Sequence, residues 1–151
     1  REEGGTTTEI YDTNVVGGRA GDASPAIPAP TLGLVLPATA GISQPSWSPD
    51  GSMIAFAREA GGDIDIYVVE SDGSNAQSLE DYVDSVYSVT NSDITTADDE
   101  FCPFWLEDGS GLAYVKPDTG GDYQIYKVDF ASGDVEPLTA TGDNLSPASE
   151  R

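Results

Sequence analysis

An all-β chain assembled from repeated four-stranded antiparallel meanders is the fold class that the sequence predicts. Three observations predict it. "PSWSPDGSMIAFA" (Pro45 to Ala57) returns in altered form as "PFWLEDGSGLAYV" (Pro103 to Val115), placing Trp47 and Trp105 58 residues apart and Asp50-Gly51 and Asp108-Gly109 at the same spacing. Short runs rich in β-branched and aromatic residues alternate with turn-forming Gly, Asp and Pro. A length of 151 residues with 38% hydrophobic content suits one core-forming domain and is too short for two ordinary ones.

Taken in order, residues 1–44 read as part of one unit. "TEIYDTNVVGG" (Thr8 to Gly18) aligns with later strands through Ile10-Tyr11, and the Pro-rich stretch 18–33 reads as an extended loop inserted in it. Residues 45–79 form a complete unit. A strand around Trp47 is followed by "SMIAFAR" (52–58), the turn "EAGGD", "IDIYVV" (64–69), a turn at Asp72-Gly73 and a short strand ending at Leu79. Residues 80–102 are an insertion, in which the alternation of "YVDSVYSVT" predicts an extra strand or hairpin. The second complete unit, 103–138, repeats the order with Trp105, "GLAYVK" (111–116), "PDTGGD", "YQIYKVDF" (123–130), Ser132-Gly133 and a strand ending at Leu138. Residues 139–151 read as the start of a further unit, because "PLTATGDNLSPAS" matches "VLPATAGISQPSW" (Val35 to Trp47). Both ends cut the pattern, so the expectation is an internal portion of a larger assembly, completed by the same chain or by another.

Charge and composition restrict function. With 27 acidic and 6 basic residues the net charge is −21, which repels phosphate backbones and anionic lipid, so neither nucleic acid nor a membrane surface is an expected partner. No run of about 18 apolar residues suggests membrane insertion, and the opening "REEGGTTTEIYD" lacks the order of a signal peptide. The single cysteine, Cys102, excludes an intrachain disulfide within these residues and is expected to be buried and structural.

The absence of histidine removes the usual general base and any Ser-His-Asp or Cys-His arrangement, and there is no Lys-bearing phosphate loop. Paired carboxylates are inevitable at this acidity and do not by themselves indicate glycoside hydrolysis. Hard oxygen donors suit calcium better. Asp63 and Asp65, two apart at a strand entrance, and Asp93, Asp98 and Asp99, in the insertion beside Asn91 and Glu100, are its candidate ligands. No complete EF-hand pattern is present, and Gln124 stands where the second unit would repeat Asp65. No cofactor is expected to be required.

The run "PSWSPDG…IAF…GGDIDIYVVESDGSN…L" closely resembles the WD40-like repeat of the TolB-type β-propellers, which is found also in propellers attached to prolyl-oligopeptidase-type serine peptidases. Two full and two partial copies cover most of the chain. The resemblance implies one four-stranded blade per repeat, arranged around a central axis. In Ser48-Pro49-Asp50-Gly51 the proline fixes an early turn φ and the glycine supplies a positive one. The second copy has Leu106-Glu107 in place of Ser48-Pro49 but keeps Asp108-Gly109, so its hairpin is expected to survive. Trp47 is expected to be buried between blades, near Ile54, Phe56, Ile66 and Tyr67. The resemblance implies a noncatalytic module for protein binding or structural assembly, placed in the periplasm or at the cell surface. An accessory propeller of a serine peptidase and a carbohydrate-binding or glycan-active surface protein are the alternatives.

Overall fold

The computed structural model describes residues 41–145 and 147. The first partial unit through residue 40, with its Pro-rich loop, and residues 146 and 148–151 lie outside the described residues. Two four-stranded antiparallel sheets follow one another. The first contains β1 (Ile42–Trp47), β2 (Met53–Ala60), β3 (Asp63–Glu70) and β4 (Gln77–Ser78), in that spatial order. A helix, α1 (Leu79–Tyr87), leads to the second sheet of β5 (Phe101–Trp105), β6 (Gly111–Pro117), β7 (Tyr123–Asp129) and β8 (Val135–Pro137), again in sequence order.

The turn chemistry acts as the repeat predicts. Gly51 takes φ +72° and donates its N–H to Ser48 O, while the Asp50 carboxylate accepts from the Ser52 N–H and hydroxyl. Gly109 at φ +71° donates to Leu106 O, and Asp108 accepts from Ser110 in the same way. Glycine and aspartate are therefore sufficient; proline is dispensable. A second repeated device lies in the first strand of each sheet, where Gln44 (φ 55°) and Cys102 (φ 52°) interrupt the register with bulges. The two bulges meet: the Cys102 N–H donates to Gln44 Oε1 at 2.8 Å.

Period-two alternation gives each sheet two apolar faces. Ala55, Ala57, Ile66 and Val68 project from one face of the first sheet and pack with Leu112, Tyr114, Val128 and Trp105 of the second in the main core. The opposite face of the first sheet carries Ile42, Ile54, Phe56 and Val69, with Trp47 and Tyr67 packed on them. Ile54 and Phe56 correspond by repeat to Leu112 and Tyr114, so one blade's second face is covered by the next blade's first face.

This arrangement corrects the expectation for Trp47. Trp105 is the buried interblade tryptophan, 5% exposed, with its indole N–H donating to Ser46 O of the first sheet. Trp47 is half-buried, because it lies on the face turned away from the second sheet. Ile66 is not its neighbour, since adjacent strand residues point to opposite faces and Tyr67 occupies its side.

The insertion also differs from expectation, beginning with a helix rather than an extra strand or hairpin. Ser78 caps α1 by accepting the Asp81 N–H, and Glu80 and Asp81 favour its first turn. Leu79 and Val83, one turn apart, are fully buried against the core. Ser88 in the left-handed region ends the helix. Residues 99 and 100 then run beside β3: the Glu100 N–H donates to Ile64 O and the Ile64 N–H to Asp99 Oδ1.

Candidate functional site

A cleft of about 240 Å³ opens between the two blades at their Asp-Gly turns. The first turn contributes Ser48, Asp50 and Ser52, the second Asp108 and Gly109, and α1 contributes Tyr82 and Tyr87, with Met53 and Trp105 also in the lining. Phe130, fully buried, braces the aromatic side. Its ring lies 5.5 Å from Tyr82, 5.8 Å from Tyr87 and 5.7 Å from Trp105. Hydrogen bonds from Ser48 and Ser52 hold the Asp50 carboxyl down at about 2, and those from Ser110 lower Asp108. Both are anions at neutral pH. Burial pushes the Tyr82 hydroxyl up to about 12, so it stays protonated.

The carboxylates expected to bind calcium fall into two places. Asp63 and Asp99 lie near enough to Asp65 at the entrance of β3 for their charges to act on it, with Glu100 beside it; Asp93 and Asp98 line a separate depression beside Lys116 and Asp118. Among the described residues no three His, Cys, Asp or Glu side chains converge to hold a metal ion. Asp99 serves β3 as a backbone acceptor, and Asp93 offers its carbonyl to Lys116 Nζ at 3.0 Å.

Glu100 is the buried member of the first group, only 1% exposed. Its Oε1 accepts from the Thr96 N–H and hydroxyl at 3.0 and 2.6 Å. Its Oε2 and Asp65 Oδ1 are both buried and, among the described residues, receive no N–H or O–H from other groups. A proton shared between the two carboxyls would satisfy both atoms. Burial raises Glu100 to about 7, against the lowering effect of Thr96, and burial followed by the Asp63 charge raises Asp65.

Cys102 is half-buried rather than buried, and burial pushes its thiol up, away from the reactive thiolate. Sequence reasoning missed Tyr82 and Tyr87. The only signal for them was the helical spacing of Leu79, Val83 and Tyr87, masked by the local alternation of the same run.

Two successive meanders, joined by their first strands and packed face to opposite face, define a segment of a β-propeller. No protein-family model and no curated protein matches the chain. Among solved structures it is similar to TolB from Acinetobacter baumannii at 26% identity and a TM-score of 0.56, covering 75% of this chain and 25% of that one. A protein assigned as TolB from Agrobacterium tumefaciens matches at 24% identity and 0.49, covering 65% and 33%. The isopeptidase AtxE2, in its apo form, matches at 18% and 0.47, covering 65% and 18%. The fold comparison rests on the first of these, of which the chain spans a quarter of the length. Among the described residues no helix is long and apolar enough to cross a membrane.

Proposed function

We propose that the chain is a noncatalytic binding module, a run of propeller blades that holds a protein or peptide partner outside the cytoplasm. The single observation that carries this reading is the interblade cleft. It combines three aromatic residues with two ionised carboxylates and contains no cysteine, histidine or lysine that would start a reaction. The likeness to a TolB supports a periplasmic or cell-surface setting, and further blades, from this polypeptide or another, are the structural partners.

Panning a random peptide library against the chain tests the reading. Enriched peptides are expected to bind and to be recovered at intact mass. Cleavage of the bound peptides would favour the peptidase-associated alternative, and binding confined to a glycan array would favour the carbohydrate one. Calcium is proposed only as a stabilising ion at the Asp63/Asp65/Asp99 or Asp93/Asp98 loops, on the strength of their carboxylate density. Equal melting temperatures in excess calcium and in chelator would remove it.

A further inference from the structure

We propose that the interblade cleft is the binding site for one arginine side chain of the partner polypeptide. The inference rests on the binding-module reading and gives its site a ligand. Size comes first: about 240 Å³ is below the range of roughly 300–1,000 Å³ for drug-sized ligands, and suits a single long side chain.

Chemistry then selects the side chain. Asp50 and Asp108, one from each blade, line one cleft with Tyr82, Tyr87 and Trp105. Both Ser110 hydrogen bonds fall on Asp108 Oδ1, so Oδ2 is the oxygen left for a ligand. A planar guanidinium can donate an N–H to that oxygen while its face lies on an aromatic ring, which an ammonium cannot do as well.

The fold already sets a cation over a tyrosine ring twice, once a guanidinium and once an ammonium. Arg58 lies 5.0 Å over the Tyr67 ring and, at the repeat-equivalent place, Lys116 lies 4.8 Å over Tyr126. These cations and Lys127 are the only ones among the described residues. Lys127 is close enough for its charge to lower Asp108, but its ammonium is held by Glu136 Oε1 at 2.6 Å. Among the described residues that line the cleft are carboxylates and aromatics and no cation. Val86 and Tyr87, 56% and 37% exposed on α1, give the residues flanking such an arginine an apolar surface to rest on.

The test is a titration of ¹⁵N-labelled chain at low salt with a capped Gly-Arg-Gly peptide, its citrulline counterpart and maltotriose, followed by NMR. The arginine peptide is expected to shift the Trp105 indole and the Gly109 and Ser110 amides. Citrulline, equal in shape but neutral, is expected to bind at least tenfold more weakly. Asp108→Asn keeps an acceptor for Ser110, so the turn should persist while arginine affinity falls at least fivefold. Equal binding of citrulline, shifts confined to the Asp63–Asp65 edge, an unaffected Asp108→Asn variant or tighter binding of maltotriose would each overturn the proposal. If panned peptides bind while the arginine peptide leaves the cleft unperturbed, the arginine inference alone falls; if no peptide binds at all, the binding-module reading falls with it.

Discussion

Glu100 keeps one side-chain oxygen in two hydrogen bonds with Thr96 and turns the other toward Asp65. Its folded pKa of about 7 exceeds the ordinary 4.5, so between these values the folded chain holds a proton that the unfolded chain has released. The associated stability is fully present below about 4.5 and is lost as pH rises through about 7. Asp50, Asp72, Asp108 and Asp129 are all lowered, so their stability is lost only as pH falls into a more acidic range. Urea midpoints from pH 5 to 8 should therefore decline in the parent chain and stay flatter in Glu100→Gln, whose amide can accept from Thr96 and donate to Asp65. An equally steep decline in the variant would refute the shared proton. The two tryptophans divide by burial. Trp105→Ala should cost about 3–5 kcal/mol, as for a close-packed aromatic, and Trp47→Ala roughly half of that. Equal denaturant midpoints for the two variants would contradict the face assignment.

The insertion is held to the blades by α1 beneath and by the β7–β8 turn beside it. Asn91 Nδ2 donates to Gly133 O at 2.8 Å, and a Cβ added to Gly133 would meet the Val89 side chain at a φ of +73° that disfavours other residues. Gly133→Ala should therefore destabilise by about 1–3 kcal/mol. Hydrogen exchange should quicken across residues 79–100 more than in β2 or β6; a uniform change would refute the local docking. The regular blades were legible because their strands repeat with period two and their turns with Asp-Gly, signals carried by adjacent residues. The 79–87 helix was obscured because "VDSVYSVT" alternates locally, while its cap depends on Ser78 and its burial on Leu79 and Val83 reaching a core the sequence does not display. The cleft was illegible for a further reason. It joins two turns from successive repeats to two tyrosines of the insertion, whereas the carboxylates that drew attention by number include Asp99, which instead satisfies a strand edge.

Across the whole molecule, packing is directional while charge acts in every direction. The first blade covers the Leu112, Tyr114 and Val128 set of the second, and Ile54, Phe56 and Val69 are the counterpart of that set on the first blade's opposite face. Against this cohesion stands a net charge of −21, whose self-repulsion opposes the compact state. Raising ionic strength from about 0.01 to 0.15 M shortens the screening length from about 30 to 8 Å. The same change weakens the exposed Lys127–Glu136 pair, but such pairs are worth at most about 1 kcal/mol, so relief of repulsion should win. The thermal midpoint should rise by a few degrees, about the effect of 1 kcal/mol in a domain of this size. Arginine-peptide affinity should fall over the same range, because screening reduces the attraction of Asp50 and Asp108 for a cation. Scanning calorimetry and titration at both salt concentrations measure the two trends on one sample. A midpoint that falls with salt would show that specific ion pairs, rather than self-repulsion, govern the fold's electrostatics; a salt-independent affinity would show that the cleft does not bind by charge.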